Sequence, residues 1–390
     1  SAKNLSEAGK LLSDAGQELS SALAEFNKTN LISLAVGSGK SSSISFLSDF
    51  TLALISADRS ISKADRLLAS VEAEILPEDK QEVFTDFKSK VPELSQFIGQ
   101  SIEYTNLLSD ILGANNKMRY LVLFANSSEL RPAGGFAGTY AFVEFDKGIM
   151  TKYFVDDIYN PDGYFKEKII PPKPLQKITP NWGLRDSLWW PDFPTSAKKA
   201  AEFYFKINGI PLDGVIVLNI DAVLGLLDAV GPIRLDKYNL TLDSSNFLDE
   251  VQSEVEYGPN RSQPKTILSD FAPVFLAKLQ TIPESKWLDI FSVLVGSSRD
   301  RSLLAYFSDK RLEKFALDNG ISGRLEDASD DYLTVVHSNI MGSKTDKVID
   351  NEITLNLELK EDLLEHQLKI SRKHNGGNSK FGFYNKKNPD

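Results

Sequence analysis

The 390-residue chain has no cysteine, three methionines and three histidines. Without cysteine there are no disulfides, no thiolate nucleophile and no cysteine zinc site, and the redox compartment stays open. His337, His366 and His374 all lie near the C-terminus, and no G-x-S-x-G precedes them. A Ser-His-Asp triad therefore has no motif to stand on, and the histidines read as exposed strand or loop residues. No apolar run reaches the roughly 18 residues that a membrane span needs. Nor is there a surplus of positive charge: 44 Lys and Arg face 54 Asp and Glu, for a net charge of −10 and a pI near 5.1. That balance argues against nucleic acid as a main partner. The chain starts at Ser1 inside a helical pattern, so a targeting or anchoring segment is expected upstream.

What is present divides by period. Leu5, Ala8, Leu12, Ala15, Leu19, Ala22 and Phe26 alternate spacings of three and four, a heptad seam on one helix face. The pattern returns over 44–76 and again over 79–112, where Pro92 is expected to start a new helix or kink the existing one. Residues 1–113 thus read as a helical bundle or stalk of about three helices. Gly37–Ser43, GSGKSSS, imitates a phosphate-binding loop, but the glycine required five residues before Gly39 is replaced by Leu34, so the stretch reads as a helix connection.

After Gly113 strands take over: Arg119–Ala125, Phe136–Asp146 and Ile149–Val155, the last two joined by the tight-turn signal Asp146-Lys147-Gly148. A long Pro- and Trp-rich loop covers 160–194. A helix over 196–207, capped by Thr195-Ser196, leads to a strand Asp213–Leu218 and a helix 220–229. Helices at about 244–256, 264–280 and 284–296 precede a strand Ser302–Phe307, a helix 309–318 and a last core strand Asp331–His337. This order predicts an α/β (α+β) core over 114–345, a mixed sheet with helices packed on it. The alternating strands Val348–Leu359 and Leu363–Arg372 place the start of a small β domain at 346–390.

Three charged loops at strand ends are the candidates for chemistry. In Glu129-Leu130-Arg131-Pro132 with Gly134-Gly135, the glycines let backbone N–H groups approach an anion and Arg131 offers a planar fork for phosphate or carboxylate. The plainer alternative is a Gly-Gly turn with Arg131 paired to Glu129. In Val155-Asp156-Asp157-Ile158-Tyr159, Asp156 and Asp157 are candidate ligands for a hard divalent cation such as magnesium; Asp162-Gly163, a little further on, is an ordinary turn. The third run holds Trp182, Arg185, Asp186, Trp189, Trp190 and Phe193, aromatic faces suited to lipid chains or sugar rings around an Arg-Asp pair. A hydrophobic cluster stapled by a salt bridge is its plainer reading.

The runs NSSELRPAGGFAGTYAFVEFDKG, DDIYNPDG, LRDSLWWPDFPTSA, DGVIVLNIDAVLGLLDAVGPI and VHSNIMGSKTDKVID resemble a bacterial envelope family, the domain of unknown function numbered four thousand and twelve. The likeness covers about 115–380. It implies an extracytoplasmic body held by an N-terminal membrane anchor outside this chain. That family is in turn distantly similar to the LytR-CpsA-Psr phosphotransferases, which move glycopolymers from a polyprenyl-pyrophosphate carrier onto peptidoglycan using arginines, aspartates and magnesium. Those enzymes carry Arg-x-Asp at the first strand turn, where this chain has Arg131-Pro132-Ala133, and Arg-Asp after the next strand pair, where it has Asp156-Asp157. Arg185-Asp186 restores that charge only if the 160–194 loop folds back.

The resemblance implies a protein that binds, and in its fullest form transfers, a polyprenyl-linked or otherwise phosphorylated glycan, with a cell-wall or surface polymer as partner. Arg131 and Arg185 would hold the pyrophosphate, with Gly134 and Gly135 beside it. Asp156 or Asp157 would hold Mg2+, and Asp186 would orient Arg185 or act as base. Trp182, Trp189, Trp190 and Phe193 would line an apolar trough. The competing expectation is a non-catalytic surface-binding or scaffold module on a helical stalk.

Overall fold

The computed structural model describes residues 1–29, 34–35, 43–260, 263–283, 286–328, 331–341, 343–361 and 363–377. The glycine-serine stretch 37–42 lies outside them. By contact the chain forms two compact units: residues 1–118 with 144–152 and 279–287, and residues 119–143 with 153–278 and 288–390.

The first unit is built on helices α1 (Ala2–Lys28), α2 (Ser43–Ala69) and α3 (Glu78–Ile111). The heptad seam is its core. Ala8, Ala15, Ala57, Ala64, Leu54, Ile61, Leu68, Phe84, Val91 and Ile98 bury one face of each helix against the others. Alanines at four of these positions leave little between the backbones, so the seam closes tightly. α3 is one helix that runs through Pro92 rather than ending there. The 144–152 stretch, the tip of the hairpin formed by strands Phe136–Asp146 and Ile149–Asp157, joins this unit through Lys147 N–H to Gly113 O and Gly148 N–H to Leu112 O, at 2.8 and 2.9 Å, while Ser43 Oγ donates to Gly148 O at 2.6 Å. Lys147 and Gly148 both have positive φ, 52° and 78°, the primed-turn geometry that the Asp-Lys-Gly signal calls for.

The second unit carries a five-stranded sheet in the order β3-β2-β1-β4-β7, with β1 (Met118–Asn126), β2 (Phe136–Asp146), β3 (Ile149–Asp157), β4 (Gly214–Asn219) and β7 (Leu303–Phe307). β4 runs parallel to β1, and β7 antiparallel to β4, so the sheet is mixed as expected. The 87 residues between β1 and β4 hold the β2–β3 hairpin, α4 (Tyr159–Tyr164) and α5 (Phe193–Asn208). Leu121, Leu123, Tyr140, Phe142, Val215, Val217 and Leu304 from the strands pack on Phe193, Ala197, Ala200, Phe203 and Tyr204 of α5. α5 begins three residues earlier than the sequence suggests: Asp192, not Thr195-Ser196, is its cap, with the carboxylate accepting Thr195 N–H at 3.1 Å. Pro194 in the first turn, where no N–H partner is needed, explains why a proline-bearing start is tolerated.

Beyond β4 come α6 (Ile220–Val230), the short strands β5 (Ile233–Leu235) and β6 (Leu240–Leu242), then α7 (Phe247–Tyr257), α8 (Thr266–Gln280), α9 (Trp287–Arg299) and α10 (Lys310–Asp318). The three-residue β5–β6 pair is too short to leave a period in the sequence. Asp331–His337, expected as a last core strand, is not a strand: its backbone pairs with no ladder. Its β-branched composition suits a pleated surface, but such propensity is realised only where a sheet edge receives it. β8 (Ile349–Lys360) and β9 (Leu363–His374) form a separate two-stranded hairpin.

Leu123 has no exposed surface at the centre of β1. Leu123→Ala should lower unfolding free energy by about 2–5 kcal/mol, measured by chemical denaturation.

Candidate functional site

The site grows from the end of β1. Asn126 closes the strand by accepting Ser128 N–H on its side chain (2.9 Å) and Glu129 N–H on its carbonyl (3.0 Å), and Phe136 N–H returns to Glu129 O at 2.8 Å. The loop so closed has room for glycine alone at its end. Gly135 has φ +139°, and a Cβ there would sit 2.5 Å from Asn126 O. Gly134, at φ +105°, shares the turn.

This turn holds Arg131 inward, 5% exposed. Its Nη1 donates to Asn339 O and to Leu130 O (3.2 Å). Nη2 donates to Glu129 Oε1 at 3.1 Å and stands 3.9 Å from Asp186 Oδ1, and the guanidinium lies 5.2 Å from the centre of the Phe136 ring. Nε, also buried, has no partner among the described residues.

The 160–194 loop does fold back. Asp162 accepts Leu184 N–H at 2.7 Å and Arg185 N–H at 3.3 Å, which pins the Arg-Asp pair. Trp182 Nε1 donates to Asp186 O at 3.0 Å. Arg185 Nε donates to Asp186 Oδ2 at 3.2 Å, and Nη2 donates to Thr179 Oγ1 at 3.0 Å. Asp186, its side chain 3% exposed, is therefore shared by the two arginines, one on each oxygen.

A third cation completes the cluster. Lys265, at the start of α8, donates to Asp157 Oδ1 at 2.9 Å and to Gly138 O. Its ammonium lies 4.8 Å from the centre of the Tyr159 ring, and the Arg185 guanidinium lies 5.2 Å from the same ring. Tyr159 itself is 49% exposed.

Burial governs the titration of these groups. It pushes the carboxyls of Glu129 and Asp162 up from their ordinary values, against the opposing pull of Arg131 on the first and of the Leu184 and Arg185 amides on the second. It pulls Lys265 down, with Asp157 opposing, and pushes the Tyr159 phenol up, with Arg185 opposing. Each direction follows from desolvation outweighing a real but partial partner.

Of the residues singled out in the sequence, Arg131, Arg185, Asp186 and Asp157 belong to one network. Asp156 sits beside it, with Oδ1 accepting Asp157 N–H (2.8 Å) and Asn160 Nδ2 (2.6 Å). Trp182 and Phe193 lie in the core, and Trp189 and Trp190 pack against it half-buried. The Trp182 ring meets Trp190 at 5.1 Å and Phe203 at 5.3 Å, so the aromatics brace the loop from behind. The carboxylates do not fit magnesium as arranged: Asp157 is bound to Lys265, Asp156 to its neighbours, and no group of three or more His, Asp or Glu among the described residues converges. Sequence reasoning passed over Lys265, which carries no local signal; it met Tyr159 only as the end of the Asp156-Asp157 loop and read Asp162-Gly163 as an ordinary turn.

Residues 115–256 match the model of a family described as "Protein of unknown function (DUF4012)". No curated protein matches the chain. Among solved structures, protein gbs0355 from Streptococcus agalactiae is similar at 13% identity and a TM-score of 0.35, over 54% of this chain and 75% of that one. TagV from B. subtilis is similar at 10% identity and a TM-score of 0.31, over 59% of this chain and 93% of that one. A transcriptional regulator (EF0465) from Enterococcus faecalis is similar at 12% identity and a TM-score of 0.31, over 66% and 84%. No helix among the described residues is long and apolar enough to cross a membrane.

The raised carboxyl of Asp162 carries a sign that can be tested. Its folded pKa lies above the ordinary 3.8, so its ionised form costs stability. That cost is absent below the unfolded value and sets in as pH rises through the folded value. Wild-type stability relative to Asp162→Asn should therefore increase as pH falls from neutral towards 4, read by urea denaturation at each pH.

Proposed function

We propose that this network binds the phosphate or pyrophosphate of a polyprenyl-linked glycan at the cell envelope. The observation that carries the reading is the pair of cations, Arg185 and Lys265, on one half-exposed Tyr159 ring, at 5.2 and 4.8 Å. Their side chains are 27% and 17% exposed, so both can be reached from solvent. An anion seated there gains two charge-assisted donors beside an aromatic face. Arg131 stands behind, acting through Asp186, which keeps the Arg185 fork in place. The polyprenyl carrier, the surface-polymer partner and an extracytoplasmic, anchored location are supported by the resemblance of the sequence runs to the envelope family and, distantly through it, to the LytR-CpsA-Psr enzymes.

If the bound glycan is transferred, the two front cations would offset charge growing on the leaving phosphate oxygen. Asp186, tied to both guanidiniums, would orient rather than accept a proton. The non-catalytic reading has one observation of its own in favour: Arg131, Arg185 and Lys265 each already meet a carboxylate, Glu129, Asp186 and Asp157. A network so balanced suits recognition as well as turnover.

Titration with polyprenyl phosphate in detergent micelles, against the uncharged polyprenol, tests the binding. The wild type should prefer the phosphate, and Arg185→Ala and Lys265→Ala should each weaken it by about tenfold, the worth of one hydrogen bond to a charged group. Equal affinity for both lipids would refute the site. Transfer of a lipid-linked glycan by the wild type, absent in Arg185→Ala, would decide for the enzyme over the scaffold.

A further inference from the structure

The run VHSNIMGSKTDKVID takes no part in the ligand reading above, yet it touches the centre of the site. It enters beside the β1 turn as irregular chain and makes a second layer of hydrogen bonds over it. Asn339 N–H donates to Leu130 O at 2.9 Å, and Asp346 N–H donates to Ser128 O at 3.0 Å. In return Leu130 N–H donates to Asp346 Oδ2 at 3.0 Å, and Asn339 O accepts Arg131 Nη1. The turn and this segment, more than 200 residues apart in sequence, are thus laced to each other from both sides.

Asp346 is the knot. Its side chain is 4% exposed and accepts three donors: Leu130 N–H, Asn339 Nδ2 at 2.6 Å and Arg372 Nη2 at 2.7 Å. Asn339 Nδ2 also donates to Ser343 O at 2.9 Å, which closes a small loop. That loop holds Met341 and Ser343 at φ 64° and 52°, left-handed conformations that side chains other than glycine rarely adopt. Such geometry persists only where surrounding contacts over-determine it, and here the contacts are those to Asp346 and to the turn.

We infer that residues 337–341 and 343–348 form a strap that fixes the Arg131 guanidinium, with Asp346 as its positioning residue. Asp346 holds Asn339 and Leu130; the Asn339 and Leu130 carbonyls hold Arg131 Nη1; Arg131 Nη2 faces Asp186; and Asp186 holds Arg185. A side chain that never touches the ligand thereby sets the fork that would. The functional half of this inference rests on the anion-binding reading above; the positional half does not.

The test uses the whole chain and two readouts. Hydrogen–deuterium exchange at the Leu130 amide and the guanidinium signals of Arg131 in 15N-labelled protein report the strap itself. Affinity for polyprenyl phosphate in micelles reports its consequence. In Asp346→Ala, Leu130 exchange should rise and the Arg131 guanidinium signals should lose their slow exchange while global unfolding stays cooperative, with affinity about tenfold weaker. Asp346→Asn keeps one acceptor oxygen for Leu130 N–H and should restore most of that affinity, a rescue that general destabilisation does not predict. Should Asp346→Ala fail to fold, Asn339→Ala removes the side-chain link alone and should move the same readouts in the same direction, by about threefold. Unchanged Leu130 exchange and Arg131 signals, or Asn behaving as badly as Ala, would overturn the strap. A wild type that shows both signatures yet does not bind the phosphate would refute the function reading alone.

Discussion

One buried carboxylate shared between two guanidiniums is the constraint on which this site depends. Asp186 is almost wholly withdrawn from water and meets Arg131 on one oxygen and Arg185 on the other. A carboxylate in such a place is tolerated only when paired, and the arginines are held in turn because the carboxylate is there. Its backbone carbonyl is taken by Trp182 Nε1, so the tryptophan-rich loop and the ion network are fixed by the same residue. That is how a loop too long for a simple connection keeps one conformation.

The two units reach order by different means. The helical unit relies on a seam of small and aliphatic residues with little polar content, Ala8, Ala15, Ala57 and Ala64 among them. The sheet unit relies on aromatic packing, with Tyr140, Phe142, Phe203 and Tyr204 against the strands, and on polar lacing at the strand ends. Rigidity at those ends comes from side chains that accept backbone N–H groups: Asn126, Asp157, Asp162, Asp192 and Asp346 each do so.

Much of this was legible beforehand because period and turn chemistry are local. The heptads over 5–26, the Asp-Lys-Gly hairpin and the strand-helix unit around 213–230 all appear where their spacing puts them. Arg131 beside a Gly-Gly turn was legible too, since Gly135 answers to a steric demand of its own strand. What was not legible is what the chain assembles at long range. Lys265 reaches Asp157 across 108 residues, and Asn339 serves Arg131 through a carbonyl, which no residue type announces. Asp331–His337 had the composition of a strand and lacked only a neighbour to pair with. Thr195-Ser196 lost the cap to Asp192 because the helix begins three residues earlier, and the free N–H to be satisfied there is that of Thr195 itself.

The β8–β9 hairpin carries Ile353 opposite Ile370, Leu355 opposite Leu368 and Leu359 opposite Leu364, an aliphatic ladder along one face. All six side chains are exposed, between 39% and 75%. Water therefore wets the surface that hairpins ordinarily use to stay shut, and two strands alone are marginal in water. The hairpin is then an element of low local stability, able to open without the sheet. Among the ties that resist this are Arg372 on Asp346 and Asn375 N–H on Val348 O, so fraying that begins at the far turn ends where the strap begins.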